Sequence, residues 1–218
     1  MKFFKFLMSV TKYSLLRLSN KFSIENGNEV KVKANLAFCK IKVKGKNNKV
    51  FIISKDDEIK IKKLNINIEG NGNIVIIENP RVISSVVIVV KDFNNKVVIK
   101  NEAGISTSRI VCCGHRKTVS IGEASMIADY CEIWNCDTHS IVDKNTKERI
   151  NPSGNIEIGD RVWLGRSVSI HKNAIICQGS VIGAGSHVFK GTYDEQCIYA
   201  GIPAVKIKNN IEWIIERI

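Results

Sequence analysis

Residues 158–192 read IGDRVWLGRSVSIHKNAIICQGSVIGAGSHVFKGT. Six aliphatic residues stand six apart in this stretch: Ile158, Leu164, Ile170, Ile176, Ile182 and Val188. Four residues after each comes Val162, Val168, Ala174, Ser180, Ser186 or Thr192, all small or β-branched. Neither the 3.6-residue helix period nor strand alternation yields a strict repeat of six. An inward aliphatic followed by a small corner residue fits a parallel coil of very short strands, each burying one large side chain before a tight turn.

Upstream the period lengthens. Asn48-Lys49-Val50-Phe51-Ile52, Asn73-Ile74-Val75-Ile76-Ile77, Asn95-Lys96-Val97-Val98-Ile99 and Lys117-Thr118-Val119-Ser120-Ile121 resemble one another, with steps of 24, 23 and 22 from Val50 to Ile74, Val97 and Val119. Most follow a polar turn such as Gly70-Asn71-Gly72-Asn73. A unit of this size cannot bury its own apolar face and must stack on neighbours. It is read as one coil of about three hexapeptides plus a corner loop. Hexapeptides resume at Ile121, Ile127 and Ile133, followed four residues on by Ser125, Cys131 and Asp137. The register then slips, since Ile133 and Ile158 lie 25 residues apart. The polar stretch from His139 to Asn155 is read as a loop thrown out of the coil, where function concentrates on a rigid scaffold.

Charge is unevenly placed. Residues 1–100 hold 20 Lys and Arg against 8 Asp and Glu, a net +12, whereas residues 101–218 hold 13 of each. Such a field suits a polyanionic acceptor or an anionic membrane; solvated lysines on outward strand faces are the plainer reading. Basic and aromatic residues do not interleave, so no nucleic-acid partner is expected. The segment Met1 to Phe22 carries Lys2, Lys5, Lys12, Arg17 and Lys21 and no acid. It is too interrupted for a leader or a membrane span and reads as an amphipathic helix, packed on the domain, in an oligomer contact, or lying on a membrane. Seven cysteines without a CxxC spacing read as reduced, apolar fillers of a cytosolic protein.

The runs Cys136-Asp137-Thr138-His139-Ser140-Ile141, Arg149-Ile150-Asn151-Pro152, Ile158-Gly159-Asp160-Arg161-Val162-Trp163-Leu164-Gly165, Ile182-Gly183-Ala184-Gly185-Ser186 and Tyr199-Ala200-Gly201-Ile202-Pro203-Ala204 resemble the hexapeptide-repeat acyltransferases, in their sugar and capsular polysaccharide O-acetyltransferase branch, and are similar to the polysialic acid enzymes. The resemblance spans roughly residues 45–208. It implies an all-β, left-handed parallel β-helix over 29–205 with a loop excursion at 139–157. A basic segment at 1–28 and a C-terminal capping helix over 206–218 are expected to flank it. It further implies a homotrimer with sites between neighbouring prisms, cytoplasmic and reaching the inner face of the membrane, that moves acetyl directly from acetyl-CoA to a glycan hydroxyl.

By the same resemblance His139 is the base. An imidazole with pKa near 6.5 takes the hydroxyl proton and returns it to the leaving thiolate. Trp163 is carried over as an indole donor near the reacting centre, where an oxyanion needs hydrogen bonds. Gly183, Ala184 and Gly185 would let backbone amides approach the pantetheine arm. Lys190 would meet phosphate and Pro203 would flank the adenine. The family's basic residue after Pro-Ala is Val205 here, which leaves Lys206 and Lys208 as alternatives. His115, His171 and His187 are read as surface residues. Their spacings (His139 to His171 is 32, His171 to His187 is 16) argue against a three-histidine zinc site, so no metal is expected. No serine sits in a nucleophile elbow. Two rival readings stay open: an N-acetyltransferase of a nucleotide-linked amino sugar, and a non-catalytic β-helix assembly module.

Overall fold

A computed structural model describes residues 19–55, 58, 60–216 and 218. The chain winds through eight three-strand coils. The first is β1 (Lys21–Ile24), β2 (Glu29–Lys33) and β3 (Leu36–Ala37); the second is β4 (Lys40–Lys44), β5 (Lys49–Ile53) and β6 (Ile61–Lys62). The third is β7 (Asn65–Asn71), β8 (Ile74–Glu78) and β9 (Val82–Ser84); the fourth is β10 (Val86–Phe93), β11 (Lys96–Ile99) and β12 (Gly104–Ile105). The fifth is β13 (Ser108–Cys112), β14 (Thr118–Ile121) and β15 (Met126–Ile127); the sixth is β16 (Cys131–Trp134), β17 (Ile156–Ile158) and β18 (Trp163–Leu164). The seventh is β19 (Ser169–His171), β20 (Ala174–Ile176) and β21 (Val181–Ile182); the eighth is β22 (His187–Val188), β23 (Gly191–Tyr193) and β24 (Ile198–Gly201), after which β25 (Ala204–Lys208) turns back.

Each strand pairs in parallel with the strand three places on, giving three sheets: A from β1 to β22, B from β2 to β23, and C from β3 to β24. Among the named strands only β25 is antiparallel, against β24. The fold is the left-handed hexapeptide β-helix expected from the repeat. All six aliphatic residues of the opening stretch are buried in one continuous core with their upstream counterparts. Full burial of an aliphatic side chain contributes about 1.5–3 kcal/mol, so the stack carries most of the fold's stability.

The six-residue period has a backbone cause. Arg161, Ser167, Asn173, Gly179 and Gly185 stand six apart and take φ of 53°, 59°, 63°, 68° and 70°. A left-handed residue at each corner bends the strand sharply enough to close a triangle. Close stacking adds a second constraint: a Cβ on Gly122 would lie 2.3 Å from the Gly159 carbonyl of the next coil.

Four expectations are corrected. The register pairs Val50 with Val75, not with Ile74, which faces outward; the steps to Val97 and Val119 are then both 22. Thr192 is exposed, because the step from the seventh coil to the eighth is one residue short of 18: Gly191 pairs with Ala174 at the corner and buried Tyr193 pairs with Ile176. The coil begins at β1, inside the segment assigned to residues 1–28; residues 1–18 of that segment lie outside the described residues. Finally, the described residues of the C-terminal segment form no capping helix. Residues up to Lys208 extend β25, and the described tail beyond packs as irregular chain against the sixth and eighth coils. Hydrogen bonds to the coil replace those a helix would have made: the Ile211 amide donates to the Gln196 carbonyl (3.0 Å) and the Trp213 indole to the Arg161 carbonyl (2.6 Å).

Candidate active site

The sixth coil is the one that breaks. Between β16 and β17 the chain leaves the A–B corner at Asn135 and returns at Asn155. Buried Asn135 closes the base of this loop. Its side chain donates to the carbonyls of Cys113 (3.0 Å) and Gly154 (2.9 Å) and accepts from the Cys113 amide (2.7 Å). Asn151, also buried, holds the loop from within. It donates to Asp137 Oδ2 and to the His139 carbonyl, both at 2.9 Å, and accepts from the Ile141 amide at 2.7 Å. At the tip, Asp143 Oδ1 accepts from the amides of Asn145 and Thr146 (2.8 and 2.9 Å), an Asx turn that makes the loop a small hairpin.

His139 therefore rides on a pinned segment. Its amide donates to the Asp137 carbonyl (2.7 Å), its carbonyl is taken by Asn151, and its imidazole is exposed, with no hydrogen bond among the described residues. Asp137 is itself anchored by Lys172 of the next coil, which holds its carboxyl below the usual range, helped by Asn151.

Trp163 lies elsewhere. It opens β18 on sheet C, with β17 and a further corner between it and the loop. Its ring is 39% exposed and sits 6.1 Å from that of Trp213, which is 8% exposed. Arg161 clamps Trp213 from the side, with its guanidinium 5.6 Å from the ring centroid and 3.9 Å from Glu212. The Trp163 indole N–H has no acceptor among the described residues. One chain thus does not bring His139 and Trp163 together.

Trp163 does share a face with several residues assigned to the donor. Trp163, Val181, Ile198 and Lys208 follow one another in register across sheet C. Gly183, Ala184 and Gly185 follow β21 at the far end of that sheet, and a Cβ on Gly185 would meet nothing within 4 Å. Gly183 instead serves packing, since its Cβ would touch Ala200 at 3.0 Å. Pro203, after a cis peptide, turns the chain into β25. Lys206 is engaged by Asp194, which raises its pKa, and lies 5.9 Å over the Tyr199 ring. Lys208 and Lys190 are exposed and form no ion pair among the described residues.

One feature escaped the sequence reading. Beside the loop root, the outer face of sheet A holds a groove of about 410 Å³ lined by Arg109, Glu132, Trp134, Cys136, Ser169 and His171. The Trp134 indole donates to Glu132 Oε2 (2.5 Å). His171 stacks on Phe189 at 4.6 Å with its Nε2 unpartnered, and burial together with neighbouring His187 lowers its pKa. His171 and Phe189 are one register apart, a neighbourhood that appears only once the coil period is known. Among the described residues no three His, Cys, Asp or Glu side chains gather as a metal site, and no helix is long and apolar enough to cross a membrane.

Comparison with known proteins places this geometry. Residues 155–190 match the family described as bacterial transferase hexapeptide (six repeats). The chain is 32% identical over 170 residues to the polysialic acid O-acetyltransferase of Neisseria meningitidis, covering 78% of this chain and 76% of that protein. Over 95 residues it is 38% identical to the enzyme of the same name from Escherichia coli O1:K1 / APEC, covering 44% and 31%. The crystal structure of the polySia-specific acetyltransferase NeuO superposes with a TM-score of 0.78 at 32% identity over 91% of this chain and 90% of that one. That of the polysialic acid O-acetyltransferase OatWY gives 0.81 at 27% identity over 91% and 92%. The chain belongs to the hexapeptide-repeat acyltransferases, in the sugar and capsular polysaccharide O-acetyltransferase branch.

Proposed function

We propose that this protein transfers acetyl from acetyl-CoA to a hydroxyl of a bacterial surface glycan, in capsule or O-antigen material that includes sialic-acid polymers. The observation that carries this reading is the split between the exposed, unengaged His139 on its pinned loop and the column from Trp163 to Lys208 on sheet C. Bound acetyl-CoA supplies the activated acyl carbon. The chain's residues do the rest. An imidazole nitrogen of His139 takes the acceptor hydroxyl proton, and Asn151 and Asp137 fix the backbone that aims it. Trp163 directs its indole N–H toward the carbonyl oxygen as negative charge develops there. Lys208 and Lys190 offer charge to the nucleotide phosphates, while Gly185 leaves room for the arm.

Because these parts sit on different faces, the site is completed by a second copy, and a homotrimer provides three such sites. Ile141, Val142 and Ile150, exposed on the loop hairpin at 49–62%, offer the apolar contact such an interface needs. The nucleotide donor and an acceptor made inside the cell put the reaction on the cytoplasmic side of the membrane. The test is His139→Ala with acetyl-CoA and a sialic-acid polymer, product being read by mass spectrometry. Loss of transfer by roughly 10²–10⁴-fold with acetyl-CoA affinity retained is expected, and undiminished transfer refutes the assignment. An amine acceptor used in preference to every hydroxyl acceptor would point to N-acetylation instead.

A further inference from the structure

We propose that the outer face of sheet A over the first two coils is a docking surface for a polyanionic glycan, the polymeric part of the acceptor. The inference rests on the transfer reading above and adds where the acceptor is held away from the reacting hydroxyl. β4 reads Lys40-Ile41-Lys42-Val43-Lys44, with Ile41 and Val43 in the core and three amines outward. Lys21 of β1 lies in register beside Lys40, and Ser23 beside Lys42. Across the other edge of β4, Asn65, Asn67 and Glu69 follow in register.

Alternate residues on a strand are about 6.6 Å apart and neighbouring strands about 4.8 Å, so four amines crowd one small patch. Lys21, Lys40 and Lys42 form no ion pair among the described residues, and Lys44 reaches Glu69 only at 4.0 Å. Sheet B differs: there Lys31 and Lys49 share Glu29 at 2.6 and 3.9 Å. Among the described residues single unpaired lysines also stand on the other sheets, Lys33 on β2 and Lys62 on β6, but on sheet A Lys21, Lys40 and Lys42 stand together on two adjacent strands.

Folding does not require it. Asn65 and Asn67 occupy the equivalent outward positions one strand later as neutral residues. Like charges at this spacing destabilise the free protein, and a ligand with repeating negative charge relieves that repulsion. A shallow groove of about 200 Å³ between β1 and β4, lined by Lys21, Phe22, Ser23, Lys40, Ile41 and Lys42, gives such a ligand a seat. Among the described residues the outward neighbours of the amines on β1 and β7 are Ser23, Asn65, Asn67 and Glu69, all polar, which favours a soluble polymer over a membrane.

The same face leads to the site. From β4 the outward residues pass through Val87 and Val89 to Arg109 and then to the Trp134–His171 groove at the loop root. Four strand steps separate β4 from β16, about 19 Å. A polymer with one carboxylate per sugar spans that distance with a residue at the loop; a short oligomer does not.

The test uses the full chain and Lys40→Glu/Lys42→Glu, with a long sialic-acid polymer and a short sialic-acid oligomer as probes. Polymer affinity, read by fluorescence anisotropy, is expected to fall roughly tenfold with a flatter salt dependence. The advantage of long over short acceptor in kcat/KM is expected to shrink by a similar factor, and Lys40→Gln/Lys42→Gln should lie between. Unchanged polymer affinity, or equal losses for both lengths, overturns the proposal. So does a variant that loses binding only to phosphatidylglycerol vesicles, which assigns the patch to a membrane. If the wild-type chain binds the polymer through these lysines but does not acetylate it, the docking surface stands and the transfer reading falls. If it acetylates the polymer and the variants are indifferent, the reverse holds.

Discussion

In the first four coils the A–B corner is filled by Asn28, Asn48, Asn73 and Asn95, each buried. The Oδ1 of Asn28, Asn48 and Asn73 accepts the amide of the next asparagine at 2.9 Å, and Asn95 passes the bond to Lys117 at 2.8 Å. In the later coils serines take over at other corners. Ser125 Oγ donates to Gly159 and accepts from Val162, and Ser180 Oγ donates to Asp194. The difference follows coil length. Val75, Val97 and Val119 step by 22, leaving long corners whose backbone needs a side chain to satisfy it. Leu164 to Ile182 steps by 18, and the tight corner needs only a hydroxyl. Between the two regimes the coil steps by 37, from Val119 to Ile156, and the loop occupies the surplus.

The comparison can be broken by moving stability and activity separately. The largest effect on stability is expected at the ladder. Asn73→Ala leaves the Asn95 amide and Asp92 carbonyl without partners in the interior and should cost about 2–4 kcal/mol in denaturant unfolding, while turnover of the remaining folded protein is retained. A loss of activity at unchanged stability would show that the early coils are more than scaffold. Asn151→Ala should do the opposite. Freeing the backbone on both sides of His139 is expected to lower kcat by roughly 10–100-fold, with a small change in melting temperature, and a normal kcat would mean the loop is held by other contacts. Trp213→Ala removes the wall behind Trp163. It should raise KM for acetyl-CoA about five- to tenfold through lost aromatic packing, with Trp213→Phe recovering most of it.

The smallest effect concerns pH. Lys172 depresses the folded-state pKa of Asp137, so this contribution is present above the unfolded carboxylate value near 3.9 and fades as pH falls through the lower folded value. Asp137 is largely solvated, so at most about 1 kcal/mol is at stake. Hydrogen-exchange protection in residues 137–151, taken relative to the intrinsic rate at each pH, should fall as Asp137 is protonated in the wild-type chain and be less pH-dependent in Lys172→Ala; identical protection profiles would show that the pair does not hold the loop.

The repeat itself was legible because burial forces it: one inward aliphatic every six residues cannot be placed otherwise. The loop was legible because the repeat stops there; His139 was singled out in it by the family resemblance, and the structure places it exposed on that loop. The misreadings share a cause. Ile211, Trp213, Ile214 and Ile215 carry apolar spacing that a helix or an irregular strap can satisfy equally, and the choice fell to a partner 52 residues away, the Arg161 carbonyl. Lys206 and Lys208 are equivalent in sequence, but Asp194 captures the first and leaves the second free.

By sequence alone the chain determined its coil, the place where the coil opens and the basic bias of its first half, since all three follow from local order of residue types. Tertiary structure alone decided the rest. Stacking set His139 and Trp163 on different faces, aligned Trp163 with Lys208, built the Trp134–His171 groove and gathered Lys21, Lys40 and Lys42 into one patch. Those neighbours are about one coil apart or more in sequence, and their proximity depends on corner lengths that no single repeat encodes.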